Sequence, residues 1–162
     1  MDNVTVSLKV NGKAVRAGVA PDRSLLAFLR EDLGLLGTHE GCGRGDCGSC
    51  TVLLDGKPAL SCIMFAFQAD GREVVTIEGI SDGERLDAVQ KCFIDKGAIQ
   101  CGFCTPAMIL VARSLLDENP TPTRDEIREA ISGVLCRCTG YKRIVDAIEA
   151  ASATGTAGEK GV

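Results

Sequence analysis

Eight of the nine cysteines in this chain fall into two sets of four: Cys42, Cys47, Cys50 and Cys62, then Cys101, Cys104, Cys136 and Cys138. Each set demands backbone that can bring four thiolates to one place, which constrains the fold more than any other feature. In the first set, GCGRGDCGSC, Gly41, Gly43, Gly45 and Gly48 permit the positive φ angles of a tightly wrapped loop. Such a loop also turns backbone N–H groups toward the sulfurs, where they stabilise negative charge.

The first set has the C-x4-C-x2-C…C spacing of plant-type [2Fe–2S] ferredoxins. The second, QCGFCTP followed by LCRCTGY, pairs C-x2-C with C-x-C, a combination outside the common zinc-finger spacings, and reads best as a second cluster site. Thr105-Pro106 is expected to cap and open a helix, and Thr139-Gly140 to begin another. Both cysteine pairs would then lie at helix N-termini, where partial positive charge favours thiolates. Disulfides and zinc are the alternative uses of eight cysteines. The opening MDNVTVSLKV lacks the pattern of a secretion signal, so an oxidising compartment has no support and the cytoplasm is the expected location. Zinc tetrathiolate suits C-x2-C but does not require the longer first loop. A Rieske centre needs two histidines, and the chain has one, His39.

Cys92 is left over. It lies beside the apolar stripe of Leu86, Val89 and Phe93 and is expected to pack as a small hydrophobe. His39, three residues before the first cysteine, is read as a structural or surface residue. The formal charge of −4 would reach about −8 with two oxidised clusters of roughly −2 each. With no basic stripe, no Trp and one Tyr, the chain offers little for nucleic acid to bind. No apolar run approaches the roughly 20 residues of a membrane span. Hydrophobic content of 45% against 25% charged residues fits large cores or faces buried against other subunits.

Along the chain, residues 4–10 alternate, Asn11-Gly12 predicts a type I′ turn, and 13–19 returns as a second strand. Asp22 or Ser24 is expected to cap a helix through Leu25, Leu26, Phe28, Leu29 and Leu33 that ends near Gly34. Short strands are predicted at 51–54, 58–62 and 73–77. The hydrophobic period then changes from two to 3.6, and helices are expected near 85–96, 106–118, 124–132 and 140–152, with a Thr123/Glu126 capping box. The tail from Ala151 is expected to fray. The fold class is therefore α+β. Residues 1–78 resemble the β-grasp fold of plant-type ferredoxins, and residues 79–162 are expected to form a four-helix bundle carrying the second set, with a flexible C-terminal tail.

GCGRGDCGSCTVLLDG…SC together with QCGFCTPAMI…NPTPTRDEI…LCRCTGY closely resembles the small iron–sulfur subunit of the xanthine oxidase, or molybdenum hydroxylase, family, over nearly the whole chain. The resemblance implies two [2Fe–2S] clusters, with Cys101, Cys104, Cys136 and Cys138 holding the one nearer molybdenum and Cys42, Cys47, Cys50 and Cys62 the one farther away. It implies that Gln100 and the Cys138 region approach a molybdopterin, in its plain or cytosine dinucleotide form, bound by a large subunit; by itself Gln100 reads as a polar loop residue. It also implies a medium subunit carrying FAD, a hetero-oligomer, and one-electron relay between molybdenum and FAD or another acceptor. The chain has no dinucleotide fingerprint and no unclaimed catalytic set, so substrate is converted elsewhere in the complex. The competing function is a free-standing two-cluster carrier, which would purify alone. Substrate and direction of flow are not written in these residues.

Overall fold

The computed structural model describes residues 2–81 and 83–154. Strands β1 (Val4–Val10) and β2 (Lys13–Val19) form an antiparallel hairpin with Val10 opposite Lys13. Its turn is built by Asn11 (φ 49°) and Gly12 (φ 77°), the two left-handed residues a type I′ turn requires. Val6, Leu8 and Val10 alternate inward. Strands β3 (Thr51–Leu54), β4 (Lys57–Leu60) and β5 (Glu73–Val75) complete a mixed sheet in the order β2-β1-β5-β3-β4, with β1 and β5 parallel. Leu25, Phe28 and Leu29 fill the concave side together with Val52, Leu54 and Val74. This is a ferredoxin-like arrangement.

The segment that carries these residues departs from the expected α-helix. Ser24 caps it, accepting from the Ala27 amide at 3.1 Å, but α1 (Leu25–Ala27) widens at once into a π-helical stretch, Phe28–Asp32. The Leu33 amide reaches back to the Phe28 carbonyl, five residues away. The strand expected at 58–62 ends at Leu60, because the Ser61 hydroxyl takes the Cys50 carbonyl at 2.7 Å in competition with the backbone ladder. The strand expected at 73–77 ends at Val75. Thr76 instead exchanges hydrogen bonds with the Asn11 side chain, and Ile77–Gly79 forms a 3-10 turn.

The second half contains α2 (Ala88–Asp95), α3 (Thr105–Glu118), α4 (Arg124–Ile131) and α5 (Lys142–Ala153), packed around Phe93, Met108, Ile127, Ile131, Ile144 and Ile148. Asp87 and Thr123 both close capping boxes, the second one as the sequence predicts. The other two helix starts differ from expectation. Cys104, not Thr105, is the N-cap of α3, and α5 begins after Tyr141 in the left-handed region at φ 64°. Neither has a side-chain cap, since the residues at these positions are committed to the cysteine loops. Ala151 is buried within α5, so the helix continues into the segment expected to fray; residues 155–162 lie outside the described ones.

Helix α3 packs against β3 and β4 as well as against its own helices, so all four residues of β3 are buried. Ser114 donates to the Gly56 carbonyl at 2.8 Å, and Lys57 pairs with Glu118 across the same junction. The two cores are thus joined through a sheet face covered by a helix.

Arg124 on α4 reaches Asp146 and Glu149 on α5, and Lys142 bonds Asp146 at 2.8 Å. The hydrogen bond from Lys142, followed by that from Arg124, holds the Asp146 carboxyl down at about 2. A depressed folded-state value means that its contribution is fully present above the unfolded value of about 3.9 and is lost as pH falls. Asp146→Asn should therefore lower the melting temperature slightly at pH 7, and the gap from the parent protein should close between about pH 4 and pH 2 in thermal scans.

Candidate functional site

The first cysteine loop, residues 41–50, has no regular secondary structure and turns on Gly43, Gly45 and Gly48, all at positive φ. The Asp46 and Cys47 amides point at the Cys42 sulfur at 3.3 and 3.4 Å. Backbone donors, led by the Arg44 amide, pull the Cys42 thiol down to about 6. Cys42 also shares a hydrogen bond with the Cys47 thiol. Cys50 is buried at the start of β3, while Cys62 is half-buried and hydrogen-bonded to Cys50; burial, then that bond, pushes Cys62 up to about 11.

The second set divides in the same way. Cys104 is buried and hydrogen-bonded to the Cys136 thiol; burial, then that hydrogen bond, raises Cys104 to about 12. Cys101 and Cys138 are exposed free thiols hydrogen-bonded to each other, and the Phe103 amide lowers Cys101. At Cys136, burial opposes ionisation but is outweighed by hydrogen bonding, first from Thr139, whose hydroxyl lies 3.0 Å from the sulfur. Tyr141 adds a phenolic oxygen that accepts from the Cys136 amide at 2.9 Å, which gives its left-handed backbone a purpose. The thiol contacts resolve into four pairs, each within one expected set: 42 with 47, 50 with 62, 101 with 138, and 104 with 136; among the described residues no three metal-binding side chains are grouped closely enough to hold a single ion.

This donor set suits a two-iron core, which takes two thiolates on each iron. A single tetrahedral ion would draw all four sulfurs to about 2.3 Å from one point. The cradle fits as well. A Cβ on Gly41 would stand 2.8 Å from the Cys47 sulfur, so the loop closes on its sulfurs only with glycine there.

The two sets are neighbours. The Leu135 amide donates to the Cys47 carbonyl at 2.9 Å, one residue before Cys136. A Cβ on Gly48 would come within 2.0 Å of the Gly133 carbonyl oxygen. His39 Nδ1 donates to the Phe103 carbonyl at 2.8 Å, and the two rings stack at 4.8 Å. The sequence reading missed these cross-contacts; of its two alternatives for His39, structural or surface, the contact with Phe103 fits the structural one. Gln100 is exposed beside Cys101, on the outer side of the second set with Cys138. Exposed Ile99, Phe103 and Leu135 border the same cysteines in sequence, as Ile63 and Phe65 do Cys62. Cys92 is buried in the helical core, where burial raises its thiol, and it joins neither set.

A family model described as 2Fe-2S iron-sulfur cluster binding domain matches residues 8–74, and one described as [2Fe-2S] binding domain matches residues 76–149. The nicotinate dehydrogenase small FeS subunit of Eubacterium barkeri is 48% identical over 148 residues, covering 91% of this chain and 94% of its own. The xanthine dehydrogenase iron-sulfur-binding subunit of Escherichia coli is 41% identical, covering 91% of this chain and 93% of its own. The crystal structure of quinoline 2-oxidoreductase from Pseudomonas putida 86 superposes with a TM-score of 0.93 at 49% identity, over 99% of this chain and 100% of that one.

Two substitutions test the geometry. Gly48→Ala places a Cβ against the Gly133 carbonyl at a positive-φ position and should cost about 2 kcal/mol or more in chemical denaturation, with loss of iron from the first loop. Cys92→Ala should cost about 1 kcal/mol for the buried volume it removes and leave the iron and acid-labile sulfide content unchanged.

Proposed function

The chain belongs to the small iron–sulfur subunits of the xanthine dehydrogenase family of molybdenum hydroxylases, and from that premise we propose which residues carry its electrons and where its partners sit. It is an electron-transfer subunit of a multi-subunit oxidoreductase and binds two [2Fe–2S] clusters. A [2Fe–2S] centre takes up one electron at a time, so two of them link a two-electron site to a flavin or another acceptor.

Cys42, Cys47, Cys50 and Cys62 would hold the first cluster. Cys101, Cys104, Cys136 and Cys138 would hold the second. The two cluster-binding domain matches, each spanning one cysteine set, carry this reading, and the thiol pairs within each set support it. The amides at Cys42 and the Thr139 hydroxyl at Cys136 stabilise sulfur-borne negative charge. Residues 1–78 form the β-grasp domain and 79–162 the four-helix bundle domain, a division supported by the two separate cores.

The second set faces a large subunit that binds molybdopterin, and Gln100 and Cys138 approach the pterin. Their exposure, together with that of Ile99, Phe103 and Leu135, supports a buried contact there in the complex. An FAD-binding medium subunit is the partner on the side of the first set. Eight thiols that must stay reduced to bind iron favour the cytoplasm. No helix among the described residues is long and apolar enough to cross a membrane.

EPR of the dithionite-reduced complex should show two distinct S = 1/2 signals. Cys104→Ser should remove one of them, lower iron and acid-labile sulfide by about half, and stop steady-state turnover while substrate still binds the large subunit. Normal turnover with that signal gone, or stoichiometric zinc in place of iron, would overturn the assignment.

A further inference from the structure

Segment 36–39 is clamped from three directions. Arg30 Nη1, from the π-helical stretch, donates to the carbonyls of Leu36 and Thr38, both at 2.8 Å. The Gly37 amide donates to one oxygen of Glu78 at 2.7 Å, and the other accepts from the Thr76 hydroxyl at 2.6 Å, so the strand that leads out of the sheet holds the segment as well. Gly37 has no room for a side chain, since its Cβ would fall 2.3 Å from Ile77 Cγ2. The third hold is His39 on Phe103.

Phe103 stands between Cys101 and Cys104, and each part of it is used. Its amide serves the Cys101 sulfur, its carbonyl accepts from His39, and its ring lies on the imidazole. Because a carbonyl can only accept, Nδ1 of His39 carries the proton. The Phe103 ring is 45% exposed and belongs to neither hydrophobic core, so no core packing fixes it. A Cβ on Gly41 would stand 3.5 Å from Phe103 Cε1, which puts the ring against the loop of the first set too.

We propose that His39 is a positioning residue that, held by Arg30 and Glu78, sets the CGFC loop of the second site against the loop of the first and so fixes the geometry on which electron transfer between the two sites depends. The inference rests on the relay reading above. It assigns His39 no contact with either cluster and no proton transfer. Its effect passes through Phe103, whose amide and carbonyl face opposite partners.

The test compares the intact complex carrying wild-type chain, His39→Ala and His39→Gln, since glutamine keeps an N–H donor. In His39→Ala, iron and sulfide content should be retained. Amide exchange at Phe103 and Cys104 should accelerate about tenfold, and the magnetic interaction between the two reduced clusters should change. Rapid-mixing transfer between the sites should slow about tenfold, the lower end of what is lost with an outer partner of a metal site. His39→Gln should recover most of each effect. Unchanged exchange and magnetic interaction in His39→Ala would overturn the proposal, as would a loss of iron that His39→Gln fails to repair. A wild-type complex without two distinct cluster signals would instead sink the relay reading, whatever the variants do.

Discussion

The hydrogen bond from the Leu135 amide to the Cys47 carbonyl, 2.9 Å, brings together the loops that carry the two cysteine sets. A direct backbone contact of this kind needs backbones that approach without intervening side chains. Gly48 meets that need, since a Cβ on it would overlap the Gly133 carbonyl, whereas a Cβ on Gly133 would meet nothing. The larger architecture serves the same approach. Helix α3 begins at Cys104 and lies across β3, whose first residue follows Cys50, so one helix-on-sheet contact orients a cysteine from each set. Ser114 and the Lys57–Glu118 pair fasten the far end of that contact.

Within each set the sulfurs are unequal. Cys50 and Cys104 are buried and Cys101 and Cys138 exposed, while the backbone donors concentrate on Cys42. Burial disfavours charge and oriented amides favour it. The same two influences act on the potential of any cluster the sulfurs hold. The second set therefore has an inner pair, Cys104 and Cys136, toward the helical core and the Leu135 contact. Its outer pair, Cys101 and Cys138, lies at the surface with Gln100. An inner and an outer side are what a relay requires if it is to meet one neighbour within the chain and another beyond it.

Much of the fold was legible because it is written in local patterns. Alternation marked β1 and β2, Asn11-Gly12 marked their turn, and the Thr123/Glu126 box marked the start of α4. Cysteine spacing separated the two sets for a comparable reason. The helix starts at Cys104 and Tyr141 were misplaced because tertiary demands displaced the usual caps: Thr139 faces the Cys136 sulfur rather than a helix end. Contacts between distant segments left no local trace. A leucine whose amide does the joining looks like any other leucine, Gly133 looks like a loop residue, and His39 has its partner 64 positions away.

The two sites also differ in how they are supported. Cys104 is part of the helical core, and Cys136 and Tyr141 pack against it, whereas the core beneath the sheet contains no cysteine. Metal bound at a site that is absent from the unfolded chain contributes its binding free energy to folding. For the second set that free energy acts directly on α3 and α5, whose ends carry or adjoin the ligands. For the first set it acts on a loop held largely by hydrogen bonds, among them the one from Leu135, outside the sheet core. Disorder at the second site therefore reaches the first through Leu135 and Phe103. Disorder at the first reaches the second by the same contacts, while the helical core keeps its own apolar packing.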